Sequence, residues 1–159
     1  VRLAVFDVDG VMTDGTLYIS RVGEMFKAFN ILDGHGVKML QEAGVQTAII
    51  SGRESEAVEY RAKELAIKHV VLGAKDKLAA FEKLRASLEV DAAACSFMGD
   101  DLPDLPVMRA CGFAVSVPNG CEAVRSAAHY VTRAEGGRGA VREFCDLVLR
   151  ARGAREGGG

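Results

Sequence analysis

Short apolar runs alternate with amphipathic stretches along almost the whole chain, and most of the apolar runs stop at a polar cluster. This pattern limits the fold more than any other feature. Residues 3–6, 45–50, 68–72, 94–98, 113–117 and 129–131 read as short strands. Helices are expected over residues 55–65, 76–88, 122–127 and 138–152, with Pro103 in the first turn of another. Asp33 is the expected N-cap of the first helix, which runs to about Ala43 before the stop at Gly44. The last helix carries Val141, Phe144, Cys145, Val148 and Leu149 on one stripe. One departure interrupts the alternation: residues 16–20 and 24–29 flank Arg21-Val22-Gly23 as a β-hairpin directly after the first strand. Alternating strands and helices imply an α/β fold, a Rossmann-like parallel sheet with helices on both faces. One domain over residues 1–152 is expected, with residues 153–159 as a flexible glycine-rich tail.

In such folds ligands bind at the carboxyl ends of the strands. The polar punctuation falls at those ends: Asp7 and Asp9, Ser51, Lys75 and Lys77, and Asp100 and Asp101. Asp7 and Asp9 lie two apart, so a strand would direct both side chains to the same face. Two close carboxylates repel unless a proton or a cation lies between them. By itself Asp7-Val-Asp9-Gly10 is equally a polar turn closing a strand, Ser51 a helix cap, and Lys77 a solvated lysine. Taken together they supply what a phosphoryl group needs. A hard divalent ion takes one or two carboxylates, a hydroxyl and amides hold phosphate oxygens, and an ammonium balances charge. One carboxylate can attack phosphorus while its neighbour moves the proton.

Composition narrows the partners. A net charge of −2 over 159 residues offers no field for nucleic acid or an anionic membrane. No apolar run is long enough to span a bilayer, and no stretch reads as a signal peptide. Cys95, Cys111, Cys121 and Cys145 are far apart and have no zinc spacing; they read as buried free thiols of a reducing cytoplasm.

Four motifs in order give the chain a resemblance to the haloacid dehalogenase superfamily of phosphohydrolases. These are Asp7-Val-Asp9-Gly10-Val11, Ser51-Gly52-Arg53, Lys77 ahead of Leu78-Ala79-Ala80-Phe81, and Gly99-Asp100-Asp101-Leu102-Pro103-Asp104. The resemblance implies Asp7 as nucleophile and Asp9 as general acid/base. Asp7, Asp100 and Asp9, the last through its backbone carbonyl, would bind Mg²⁺. Ser51, Gly52, Arg53 and Lys77 would hold the phosphate, with Lys75 the competitor for Lys77. Asp101 and Asp104 would orient Lys77 or metal-bound water. A dehalogenase would not need Asp9, and a phosphomutase would need a cap.

The gaps after Gly10 and after Ser51 leave room for a hairpin or for one helix and one strand, not for an inserted cap domain. The chain is thus similar to the capless subgroup, whose members close the site by forming homotetramers. Lys27-Ala28-Phe29-Asn30 with Asp33-Gly34, and residues 136–143, extend the likeness to phosphatases of eight-carbon sugar acids in lipopolysaccharide biosynthesis. Relatives acting on nine-carbon sialic-acid-type phosphates tend to carry Glu at the positions of Arg53 and Arg138. The expected partners are therefore a phosphorylated eight-carbon sugar acid and further copies of the chain. Arg53 and Arg138 are the candidate substrate contacts, followed by Arg61 and Arg142. The opposing reading is a non-catalytic assembly module of a sugar-nucleotide synthetase, which predicts loss of motif residues.

Overall fold

The computed structural model describes residues 1–156. Six parallel strands form the main sheet: β1 (Leu3–Phe6), β4 (Gln46–Ile50), β5 (His69–Val71), β6 (Cys95–Met98), β7 (Phe113–Ser116) and β8 (Tyr130–Val131). Their order is β5-β4-β1-β6-β7-β8. The chain builds outward from β1 on one side, then returns to add β6 on the other. This reversal opens a crevice at the carboxyl ends of β1 and β6. The expected hairpin forms from β2 (Tyr18–Ser20) and β3 (Gly23–Phe26), apart from the main sheet.

Every residue of β1 is buried, as expected of a central parallel strand covered on both faces. Ala4 and Phe6 pack in one layer with α1 (Ile31–Glu42), α2 (Glu56–Glu64) and α6 (Ala140–Glu156). Phe144 of α6 meets Phe6 edge-on at 5.7 Å. Leu3 and Val5 pack on the other face with α3 (Lys77–Ser87), α4 (Leu105–Ala110) and α5 (Glu122–Ala127). Among the described residues no helix is long and apolar enough to cross a membrane. All four cysteines are free, and Cys95, Cys111 and Cys145 are buried.

The starts of α1 and α6 differ from the sequence reading, and the differences are linked. Asn30, not Asp33, caps α1: its side chain accepts from the amides of Leu32 at 2.9 Å and Asp33 at 3.1 Å. Asp33 is thereby free to serve another helix. Helix α6 starts at Ala140 rather than Arg138, because Gly137 and Gly139 have φ of +72° and +107° and cannot continue a helix. Gly139 has no side chain to cap with. The buried carboxylate of Asp33 reaches across and accepts from the Arg142 amide at 2.9 Å. Burial pushes the Asp33 carboxyl above its ordinary value, against the pull of the Arg142 and Gly139 amides. At its other end α6 continues to Glu156, past the expected stop at Arg152; residues 157–159 of the expected tail lie outside the described residues.

Asp33→Ala should therefore destabilise the protein by about 1–2 kcal/mol, the range for loss of a good cap. Asp33→Asn keeps the acceptor without a buried charge and should cost less than half as much. Urea melts of the two variants check this.

Candidate active site

Strand β1 carries Asp7 directly to the crevice, where its amide donates to the Met98 carbonyl at 3.0 Å. The side chain is buried, with 6% of the residue exposed. Lys77, the first residue of α3, is equally buried and bridges two carboxylates. Its Nζ lies 2.9 Å from Asp7 Oδ1 and 2.7 Å from Asp104 Oδ1. Burial alone would lower the Lys77 pKa, but Asp7 and Asp104 outweigh it and hold the pKa above its ordinary value. Asp76 caps α3 by accepting from the Ala79 amide at 3.0 Å, which sets where Lys77 begins. Lys75 is exposed at the rim of the cleft.

Asp104 is nearly inaccessible and uses both carboxylate oxygens. Oδ1 takes Lys77, and Oδ2 takes the amides of Asp100 at 2.9 Å and Asp101 at 3.2 Å. The turn after β6 is thus wound around Asp104. Asp101 is exposed and accepts from the Leu102 amide at 2.8 Å. Ser51 ends β4: its amide donates to Val71 at 2.9 Å, and its buried hydroxyl accepts from the Arg53 amide at 3.3 Å. Ser51, Gly52, Arg53, Lys77, Asp7, Asp9, Asp100 and Asp101 all line one cleft of about 420 Å³.

One oxygen each of Asp7, Asp100 and Asp104 lies within 4.8 Å of the others. Because Asp104 is committed to Lys77 and two amides, Asp7 and Asp100 are the side chains left to a cation. Gly10 makes their approach possible. Its φ is +89°, and a Cβ there would fall 1.9 Å from Asp100 Oδ2. Burial, reinforced by a hydrogen bond to Asp7 and by repulsion from Asp7 and Asp104, pushes Asp100 up to about 9. Burial and Asp104 push Asp7 up to about 6, against the pull of Lys77. A hard divalent ion between these oxygens removes that repulsion, so the donor set fits such an ion.

The carboxylate of Asp9 turns elsewhere. Its Oδ1 meets Lys27 Nζ at 2.7 Å, and its Oδ2 lies 3.9 Å from Arg53 Nε. Lys27 has a buried side chain and also binds Glu24 Oε1 at 2.7 Å, while Glu24 Oε2 accepts from Ser55, the cap of α2, at 2.5 Å. The hairpin is therefore tied to Asp9 and to α2 by a chain of polar contacts. Sequence reading assigned no role to Lys27 or Glu24. Their spacing of three on a hairpin with exposed Met25 and Phe26 marks an ion pair, but not that the pair reaches Asp9.

Of the four arginines expected to contact substrate, only Arg53 lines the cleft. Arg138 is exposed outside the lining, near Asp14. Arg61 is held over the Phe29 ring and against Glu64, and Arg142 pairs with Asp146, so neither faces the cleft.

The model of haloacid dehalogenase-like hydrolases matches residues 70–144. The 3-deoxy-D-manno-octulosonate 8-phosphate phosphatase KdsC of Yersinia pestis is 46% identical over 157 residues, covering 99% of this chain and 84% of the relative. The chain belongs to the KdsC family of haloacid dehalogenase-like phosphatases. Solved KdsC-type structures superpose closely. The Moraxella catarrhalis phosphatase, in complex with magnesium ion, phosphate ion and a KDO molecule, has a TM-score of 0.92 at 46% identity; the match covers 95% of this chain and 87% of that one. The cobalt-bound Haemophilus influenzae phosphatase has a TM-score of 0.94 at 39% identity, covering 96% and 90%.

At pH 7.5, above the value for Asp7 and below that for Asp100, the pair carries one proton. Binding of Mg²⁺ should therefore release about one proton, and affinity should climb with pH up to about 9. Calorimetry in buffers of different ionisation enthalpy measures this; a proton count near zero contradicts it. With no cation added, the folded chain holds this proton while the unfolded one does not. Stability should accordingly fall as pH rises from 4 to 9, and Asp100→Asn should flatten that slope.

Proposed function

We propose that this protein is a Mg²⁺-dependent phosphatase that converts 3-deoxy-D-manno-octulosonate 8-phosphate to the free sugar acid and phosphate. The reading rests on Lys77 held between Asp7 and Asp104, with Asp100 beside them, at the mouth of a parallel sheet. The M. catarrhalis relative, with magnesium, phosphate and KDO bound, supports the substrate class. Intact catalytic motifs argue against a non-catalytic assembly module.

Asp7 attacks phosphorus, and the bond to the sugar oxygen breaks. Asp9, which must first leave Lys27 and take up a proton, gives that proton to the oxygen, and the free sugar acid leaves. The phosphoryl group is now held on Asp7 as an acyl phosphate. Asp9, left as carboxylate, takes a proton from water as the water attacks phosphorus, and phosphate departs with Asp7 restored. Ser51 and the amides of Gly52 and Arg53 hold phosphate oxygens, and Lys77 offsets their charge. Asp104 keeps Lys77 aimed at Asp7 and keeps the Asp100 turn folded. Asp7, Asp100 and the Asp9 carbonyl would hold Mg²⁺, which neutralises phosphate charge when bound. Arg53, which lines the cleft, would meet the sugar acid. The activity belongs to lipopolysaccharide biosynthesis in the cytoplasm, where the buried free thiols stay reduced.

A panel of sugar-acid phosphates tests the reaction. Phosphate release should favour the eight-carbon substrate, and Asp7→Asn should reduce turnover at least a thousand-fold, on the scale of losing a catalytic nucleophile. Preference for a nine-carbon substrate would refute the specificity; release by Asp7→Asn would refute the mechanism.

The second part of the proposal is a homotetramer in which a neighbour closes each cleft. Its support is the hairpin, which exposes Ile19, Val22, Met25 and Phe26, with Val22 91% accessible. Leu17, at the hairpin's base, lines the cleft, so a chain packed on the hairpin would lie close to the site. Val22→Asp with Met25→Asp should give monomers by light scattering. The KM should rise at least ten-fold while Mg²⁺ binding stays unchanged.

A further inference from the structure

The loop after β7 touches both acidic loops of the site, although none of its residues lines the cleft. Asn119 Nδ2 donates to the Gly10 carbonyl at 2.9 Å, and Asn119 Oδ1 accepts from the Gly136 amide at 2.8 Å. Two residues on, the Cys121 amide donates to the Asp100 carbonyl at 2.8 Å. One short loop therefore grips the Gly10–Val11 peptide, one residue beyond Asp9, and the residue that carries the second carboxylate. The fit leaves no slack. A Cβ on Gly136 would fall 1.9 Å from the Gly10 carbonyl oxygen, and one on Gly120 would fall 2.7 Å from Ser116 Oγ. Gly10 itself is pressed against Asp100 Oδ2.

We infer that Asn119 is a positioning residue for the divalent cation. By fixing the Gly10 carbonyl it sets the pose of the Asp9–Gly10 main chain against the Asp100 carboxylate. The inference rests on the proposed cation site of Asp7, Asp100 and the Asp9 carbonyl. The planar amide is suited to the task because it offers a donor and an acceptor at once. An aspartate offers acceptors only. It would keep the bond from Gly136 but turn an oxygen toward the Gly10 carbonyl, leaving that carbonyl without its donor. Outer partners that orient ligands typically change metal affinity 10–100-fold when removed.

Titration calorimetry with MgCl₂ alone, with melting curves at several Mg²⁺ concentrations, tests the inference. The set is wild type, Asn119→Ala, Asn119→Asp and Val45→Ala. Val45 is a buried core residue just before β4, at the end opposite Ser51, so its truncation weakens the fold away from the site. Expected are a Kd raised about ten-fold or more in Asn119→Ala, a similar rise in Asn119→Asp, and an unchanged Kd in Val45→Ala despite its lower Tm. If Asn119→Ala does not fold, Asn119→Asp carries the test, since it keeps the Gly136 contact. Wild-type Kd in the folded Asn119 variants overturns the inference, as does an equal loss in Val45→Ala, which would mean general loosening. Failure of the wild type to bind Mg²⁺ would instead overturn the cation site itself, and this inference with it.

Discussion

Lys77, buried between Asp7 and Asp104, is the contact on which the rest of the site depends. Such an arrangement is a poor way to stabilise a fold. Desolvating ion pairs is costly enough that apolar replacements of similar volume often do as well or better, while removing one partner costs about 3–5 kcal/mol. The cluster makes sense when its charges are meant to meet others. Burial pushes Asp7 and Asp100 upward, and three carboxylates around one ammonium, which leave the pocket short of positive charge, add to it. A cation and a phosphoryl group complete what the protein alone leaves unbalanced.

Holding these like charges together falls to the loops around them. Asp104 secures the Asp100 turn by accepting hydrogen bonds from two backbone amides, and Gly10 allows Asp100 to approach. The loop after β7 braces both, and the glycine-rich loop before α6 lies against Gly10. That last loop is itself held by Asp33, which caps α6 from the start of α1. The hairpin is latched from the other side by Lys27 and Glu24. Elements from nearly the whole chain thus converge on a pocket only a few side chains wide.

Much of this was legible before any coordinates. The strand–helix alternation implied the parallel sheet, and the polar strand ends marked Asp7, Ser51, Lys77 and Asp100, which the structure brings to one cleft. Lys77, rather than its competitor Lys75, directly precedes the apolar helical pattern, and it is the one in contact with Asp7. Long polar side chains on turns and helices were harder to read. Arg61 and Arg142 carry the right charge for an anionic ligand, yet both are spent on local packing and pairing. Lys27 stands in a family-like stretch, but nothing in that stretch, or around Glu24 and Asn119, points to Asp9, Ser55 or Gly10, the partners distant in the chain.

The amino-acid sequence by itself determined the element order, the hairpin in place of a cap, and which residue types stand at the strand ends. These are local properties, set by periodicity, glycine and turn chemistry within a few residues. Tertiary structure alone decided which oxygens remain for a cation, which way Asp9 turns, and what holds the Gly10 peptide. Those outcomes depend on contacts between residues as far apart as Gly10 and Asn119. Such contacts follow from how the sheet closes and where burial forces each polar group to find its partner.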